Sequence, residues 1–247
     1  MISCFLYGGL GNQLFQKAAA LSHSLRHGYD VVIPEEVVNP HSRQQKPYRF
    51  PGFKYSSNIS TELSAYKEPF FHYSCLPPMD NIKLDGYFQS AKYFDDYRDE
   101  VIESFGFNIS RTIKGMCGVH VRRGDYLKWP NHHPPVTRDY ILKAIGMMKE
   151  KLGIRAFMFF SDDIDWCKEF FYCVKDYVEF SEGKDELEDL RMLASLPHHI
   201  GSNSSFSWWG HYLCPDENKV GYFPKRWFGP ELPHDTRDLY LRSMILL

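Results

Sequence analysis

The chain lacks an excess of charge of either sign. Its 247 residues carry 29 Lys and Arg against 31 Asp and Glu, a formal net charge of −2, so no basic field exists to hold nucleic acid, and none is expected as a partner. Long hydrophobic runs are missing too. No stretch approaches the roughly 20 apolar residues of a membrane span, which leaves peripheral association as the only membrane contact to consider. The opening MISCFLYGGLGNQ has no basic segment ahead of its apolar one and soon turns glycine-rich, unlike a secretory signal. No CxxC spacing occurs among Cys4, Cys75, Cys117, Cys167, Cys173 and Cys214. Scattered and partly within apolar runs, these read as reduced, buried thiols in a cytoplasmic protein. Sequons at Asn58, Asn108 and Asn203 matter only in a secreted chain. With 43% hydrophobic and 16% aromatic residues, the chain can bury a substantial core in one large or two small domains.

What is present is an alternation of strands and helices. ISCFLY (2–7) is short and β-prone, and GGLG leads into a helix whose Leu14, Ala18, Leu21 and Leu25 recur at helical spacing before Gly28. DVVIP then reads as a second strand, a βαβ start. From Pro34 to about Asp80 the pattern dissolves into prolines, aromatics and polar residues. IKLDGYF (82–88) and a helix around 93–105 follow, and a polar stretch at 108–114 suggests a hinge, dividing the chain into domains 1–110 and 111–247. MCGVHV (116–121) is an apolar strand. TRDYILKAIGMMKEKLG (137–153) is an amphipathic helix capped by Thr137 and Gly153, with Ile141, Ile145, Met148 and Leu152 as its buried stripe. RAFMFFS (155–161) and YVEF (177–180) are strands, with SDDIDWCKEFF between them as a loop and short helix. LEDLRMLASL (187–196) is a helix, and HHIGSNSSFSWWGHYL (198–213) a strand, a serine-rich turn and a helix start. Such alternation implies parallel sheets with loops gathered at the carboxyl ends of the strands, where ligands bind.

The unusual residues fall in those loops. GGLG suits close approach of a backbone to a diphosphate at a helix start; no Gly-Lys-Ser/Thr follows, so it is no Walker loop. Gly9-x-Gly11 with Glu35 or Glu36 after the next strand also suits an NAD(P)-dependent oxidoreductase, although Leu14 occupies the third glycine position. In HVRRGD, Arg122 and Arg123 either pair with internal carboxylates such as Asp125 or await a phosphate. The turn SNSSFS at another helix start offers a second anion site. Asp163-x-Asp165 has the spacing of a divalent-cation site, but could equally bind a base or ribose or cap the helix. His132–His133 and His198–His199 lack a shared metal spacing, and Trp208 and Trp209 read as core. A non-catalytic glycan-binding module, suggested by the aromatics, would need no second phosphate site.

Four motifs in order, GGLGNQLFQ, HVRRGDY, FSDDIDWCK and SNSSFSWWG, resemble the α-1,2-fucosyltransferases of glycosyltransferase family 11. The resemblance spans residues 6 to 210. It implies an α/β fold of GT-B type, two Rossmann-like domains facing a cleft, with an acceptor-side N-terminal domain and GDP-fucose held mainly by the C-terminal one. It implies metal-independent, inverting transfer of L-fucose to the 2-hydroxyl of a galactose in a glycan acceptor, with no cofactor. On this resemblance Arg122 contacts the β-phosphate, with Arg123 supporting its loop. His120 and Asp163, with Asp162 beside it, contact the guanosine; Ser204 and Ser205, with Phe206 beside them, contact the diphosphate. Gly9, Gly11 and Asn12 line the opposite wall, and Asp125 is the candidate base.

Overall fold

The computed structural model describes residues 1–38, 47–59, 63–172, 174, 177–183 and 185–247. The chain forms two compact units. Met1–Asn108 and His234–Tyr240 make the first, Ile109–Pro233 and Leu241–Leu247 the second. The return of 234–240 to the first unit is a crossing that a linear division at residue 110 does not contain.

In the first unit β1 (Ile2–Cys4) leads through α1 (Leu10–His27) to β2 (Val32–Pro34). The stretch that resisted reading from sequence contains β3 (Lys54–Ser56) and β4 (Ser64–Lys67), and β5 (Ile82–Asp85) follows. β1, β5 and β4 form a parallel sheet in that order, while β2 pairs with β3, and an isolated Ile2–Val31 bridge joins β1 to the residue just before β2. The helix expected around 93–105 is shorter. Two 3-10 turns at Ala91–Tyr93 and Asp95–Tyr97 precede α2 (Arg98–Phe105), because Ser90 caps the first turn and Phe94 leaves the helical region.

The helix α1 is buried on nearly every face through Ser24. Leu25, the last of the residues at helical spacing, is 41% exposed. The sequence pattern also missed buried polar residues on α1, Gln13, Gln16 and Lys17 among them. Gln16 Oε1 accepts Tyr7 N at 3.0 Å, Gln13 Oε1 accepts Tyr48 N at 3.0 Å, and Lys17 Nζ donates to Tyr48 O at 2.6 Å. These bonds tether backbone that no strand pairs with. Among the described residues no carboxylate pairs with Lys17, whose ammonium lies 5.0 Å from the Phe50 ring centroid.

Among its described residues the second unit holds six parallel strands: β6 (Met116–Val121), β7 (Ala156–Ser161), β8 (Tyr177–Phe180), β9 (His198–Ile200), β10 (Val220–Phe223) and β11 (Met244–Leu246). Their spatial order is β11-β10-β9-β6-β7-β8. Helices α3 (Arg138–Leu152), α4 (Ile164–Phe171), α5 (Glu186–Ala194) and α6 (Ser205–Leu213) connect or flank them. Sequence patterning did not anticipate β10 and β11. Thr137 caps α3 by accepting Tyr140 N, and Gly153 closes it at φ 68°. Ile141, Ile145 and Met148 pack on Cys117, Val119 and Val121, whereas Leu152 in the last turn is 37% exposed.

Side chains alternate across a strand, so Met116, Gly118 and His120 face the opposite layer, where Leu193, Leu196 and Phe206 pack. A Cβ on Gly118 would sit 2.5 Å from Leu193 Cδ1; the glycine lets α5 lie against the sheet. Trp208 and Trp209 are fully buried, as expected. Cys4, Cys117, Cys167 and Cys214 are buried free thiols, but Cys75 is exposed, because it lies in a loop outside the sheet. Cys173 lies outside the described residues. Asn203, one of the sequons, is buried and donates to Trp227 O. No helix among the described residues is long and apolar enough to cross a membrane.

Burial pushes the Lys17 ammonium down to about 7, against a smaller opposing influence of Cys4. The unfolded chain therefore binds one more proton between about pH 7 and the ordinary lysine value, and stability rises with pH across that window. Urea unfolding of wild type and Lys17→Met should show the wild type gaining on the variant from pH 7 to 10, with the difference flat below pH 6.

Candidate functional site

Strand order reverses between β6 and β9: going outward from β6, β7 and β8 follow on one side, and β9, β10 and β11 on the other. In open parallel sheets this reversal leaves a crevice beyond the carboxyl ends of the strands. The loop after β6 is Arg122–Asp125, the loop after β9 is Gly201–Ser204, and the loop after β7 is Asp162–Asp163. Thus topology brings His120, Arg122, Arg123, Asp125, Asp162, Asp163, Ser204, Ser205 and Phe206 to one edge of one sheet.

The two arginines are paired with protein carboxylates. Arg122 Nη2 donates to Asp125 Oδ1 at 2.7 Å, and its Nη1 lies 3.2 Å from Asp162 Oδ2. Burial disfavours the charged guanidinium, but Asp162 and Asp125 outweigh it and raise its pKa. Arg123 Nε donates to Asp163 Oδ2 at 2.9 Å, while its guanidinium lies 3.9 Å from the centroid of the Trp166 ring, a cation–π contact. Asp162 Oδ1 accepts the Arg123 amide at 2.9 Å. A Cβ on Gly124 would collide with the Asp162 carboxylate, so the glycine leaves room for that carboxylate where it now lies. Asp163 Oδ1 also caps α4 through Trp166 N. Internal pairing and helix capping, both open from sequence, are therefore present together.

His120 is buried. Its Nδ1 lies 2.6 Å from Ser207 Oγ and 3.0 Å from Ser202 Oγ, and its ring stacks on Phe206 at 4.8 Å. Burial, helped by the Arg122 charge, pushes it down to about 3, so it remains neutral. Ser204 Oγ accepts Phe206 N and caps α6, whose positive end then faces the crevice. Among the described residues no three His, Cys, Asp or Glu side chains cluster as a metal site.

Gly9, Gly11 and Asn12 form a group of their own in the first unit. Gly8, at φ 70°, has the Asn12 side chain where a Cβ would go, and Asn12 Oδ1 accepts Gln89 Nε2 at 2.9 Å. Gly9, the N-cap of α1, has open space on its Cβ side. Glu35, the ribose-binding candidate of the oxidoreductase reading, is engaged by Arg49, and Leu14 at the third glycine position is core.

The model of glycosyl transferase family 11 matches residues 33–220. The chain belongs to this family. An Escherichia coli protein named alpha-1,2-colitosyltransferase is 28% identical, covering 92% of each chain. Galactoside alpha-(1,2)-fucosyltransferase 2 of Rattus norvegicus is 24% identical over 84% of this chain and 65% of its own length. A crystal structure of POFUT1 in complex with GDP-fucose superposes with a TM-score of 0.55 at 13% identity, covering 90% of this chain and 97% of that one. The family 11 chain thus has the α/β fold of GT-B-type fucosyltransferases.

Sequence reasoning missed Tyr126, the last residue of HVRRGDY. Its ring centroid lies 5.7 Å from the Arg122 guanidinium and 4.9 Å from the His133 ring, and its hydroxyl donates to Asn203 O at 2.8 Å. That bond joins the arginine loop to the serine turn across the strand reversal. The motif held the residue, but its partner 77 positions away was not legible. Tyr126→Phe should lower the unfolding free energy by about 1 kcal/mol, the net worth of one such hydrogen bond, measured by urea unfolding.

Proposed function

We propose that this family 11 enzyme transfers L-fucose from GDP-β-L-fucose to the 2-hydroxyl of a galactose in a glycan acceptor, with inversion and without a metal. The observation that carries it is the strand reversal at which an arginine pair and a capped helix start share one crevice. On this reading the second unit is the donor side. Arg122 takes the β-phosphate, and Ser204 and Ser205 the rest of the diphosphate. His120, Asp162 and Asp163, with Phe206, border the guanosine.

As the glycosidic C–O bond breaks, negative charge grows on the β-phosphate and positive charge on the sugar. A preorganised guanidinium stabilises that transition state more than the ground state. Arg122 is partly exposed and its Asp125 partner more so, and such pairs are weak. A diphosphate can therefore displace Asp125 from Arg122. The freed carboxylate then stands beside the reacting centre as acceptor of the proton from the galactose hydroxyl. A colitosyl donor is the second reading, favoured by the 28% identical relative of that name.

Arg122→Lys should reduce transfer at least about 100-fold, because an ammonium cannot reproduce the planar fork and one preorganised donor is lost. Near wild-type turnover would remove Arg122 from the mechanism. Thermal shifts with GDP, UDP and NAD, in excess EDTA, test the donor site. At 100 times its dissociation constant a ligand adds about 2.7 kcal/mol, and about 1 kcal/mol moves the midpoint by roughly 2–4 °C. GDP should give the largest shift. A shift with NAD alone, or with GDP only after a divalent cation is restored, contradicts the proposal.

A further inference from the structure

The loop that follows the arginines holds an exposed tryptophan on a built support. Trp129 is 62% exposed and Leu127 49%, whereas Trp208, Trp209 and Trp227 are buried. A single apolar side chain in water needs no explanation; the support beneath this one does. One 3-10 turn, Asp125–Leu127, leads into it, and the Trp129 carbonyl accepts both His132 N and His133 N, at 3.0 and 2.9 Å. His132 meets the indole edge-on at 5.8 Å, with its Nδ1 3.1 Å from Glu231 Oε2. Asn131 Nδ2 donates to Glu231 Oε1 at 3.0 Å, and Glu231 N to Asn131 O at 3.1 Å. Gly229 N donates to His132 O, and a Cβ on Gly229 would collide with the Asn131 carbonyl. Two segments 100 residues apart thus close on each other, and the indole face stays in water.

We infer that Trp129 is an acceptor platform on which the galactose ring of the glycan stacks, with Glu231 and Asn131 at its rim meeting the sugar hydroxyls. The inference rests on the transfer reaction proposed above. Galactose carries its 4-hydroxyl axially, which leaves the C–H groups at positions 3, 4 and 5 as one apolar face. That face matches a flat ring, while the hydroxyls project to the side, where a few polar groups fix orientation. An indole supplies broad, rigid contact at little cost in conformational entropy. Position agrees with the role. Two steps at the roughly 2 Å rise of the 3-10 turn and two more at no more than about 3.6 Å each put Trp129 within about 11 Å of Asp125 along the chain. A sugar stacked there brings its hydroxyls to the loop that carries Arg122 and Asp125.

Two measurements test this, with lactose and N-acetyllactosamine as acceptors. At saturating GDP-fucose, Trp129→Ala should raise the acceptor KM about 10-fold, the loss expected of one aromatic stack. Trp129→Phe should recover part of it, and the GDP-induced thermal shift should equal that of wild type in both variants. Without turnover, titrating lactose into the GDP-bound protein should move the indole N–H resonance of Trp129 in an NMR spectrum. An acceptor KM within two-fold of wild type in Trp129→Ala, or an unmoved indole resonance, overturns the platform. So does loss of binding to anionic lipid vesicles in that variant with acceptor kinetics intact, which assigns the indole and Lys128 to a membrane surface instead. Failure of GDP to shift the wild type strikes the transfer reaction itself, so the two ideas fail separately.

Discussion

Two guanidinium groups on adjacent residues repel each other, and the second unit is arranged around that constraint. Arg122 and Arg123 stand together at the end of a buried strand because the loops after β6 and β7 emerge side by side, which sets Asp162 and Asp163 against them. Each arginine takes a different carboxylate, and each rests on an aromatic ring, Tyr126 under one and Trp166 near the other. Gly124 admits Asp162, and Tyr126 carries the arrangement across to Asn203 and the start of α6. The cations at this edge are thus held oriented by charge-assisted bonds within the protein.

The buried histidines answer a different requirement. His120, His199 and His211 sit where β6, β9 and α6 converge, and burial pushes all three well below the usual imidazole range. His199 and His211 approach through their Nδ1 atoms at 2.9 Å, with Leu193 O and Ser243 Oγ as outer partners. A neutral imidazole offers one donor and one acceptor, which suits a bridge between layers better than a charge would. The layer beneath the crevice consequently keeps its charge constant over the range in which exposed histidines titrate.

In the first unit the comparable work falls to α1. Short strands leave many backbone groups unpaired, and Gln13, Gln16 and Lys17 satisfy those of Tyr7 and Tyr48 from a helix face that would otherwise be apolar. Glu68 plays a similar part at the turn after β5. Its carboxyl accepts Tyr87 N and Phe88 N where Phe88 adopts a positive φ, while burial raises its pKa to about 7.

Local patterning alone fixed the elements whose causes are local. Alternation across β6 and β7, the Thr137 and Gly153 caps of α3, the Gly28 stop of α1 and the glycine, arginine and serine loops all lie within a few residues of what determines them. The order of the motifs also carried the family. Only the tertiary structure decided what depends on partners far along the chain. That includes the placement of β9 beside β6, the pairing of β10 with β11, the bond from Tyr126 to Asn203 and the support of Trp129 by Glu231. It also decided that Leu25 and Leu152 leave the core while Lys17 enters it. Periodicity reports which face of a helix points inward, but not where the neighbouring layer ends, and that edge is drawn by strands from elsewhere in the sequence.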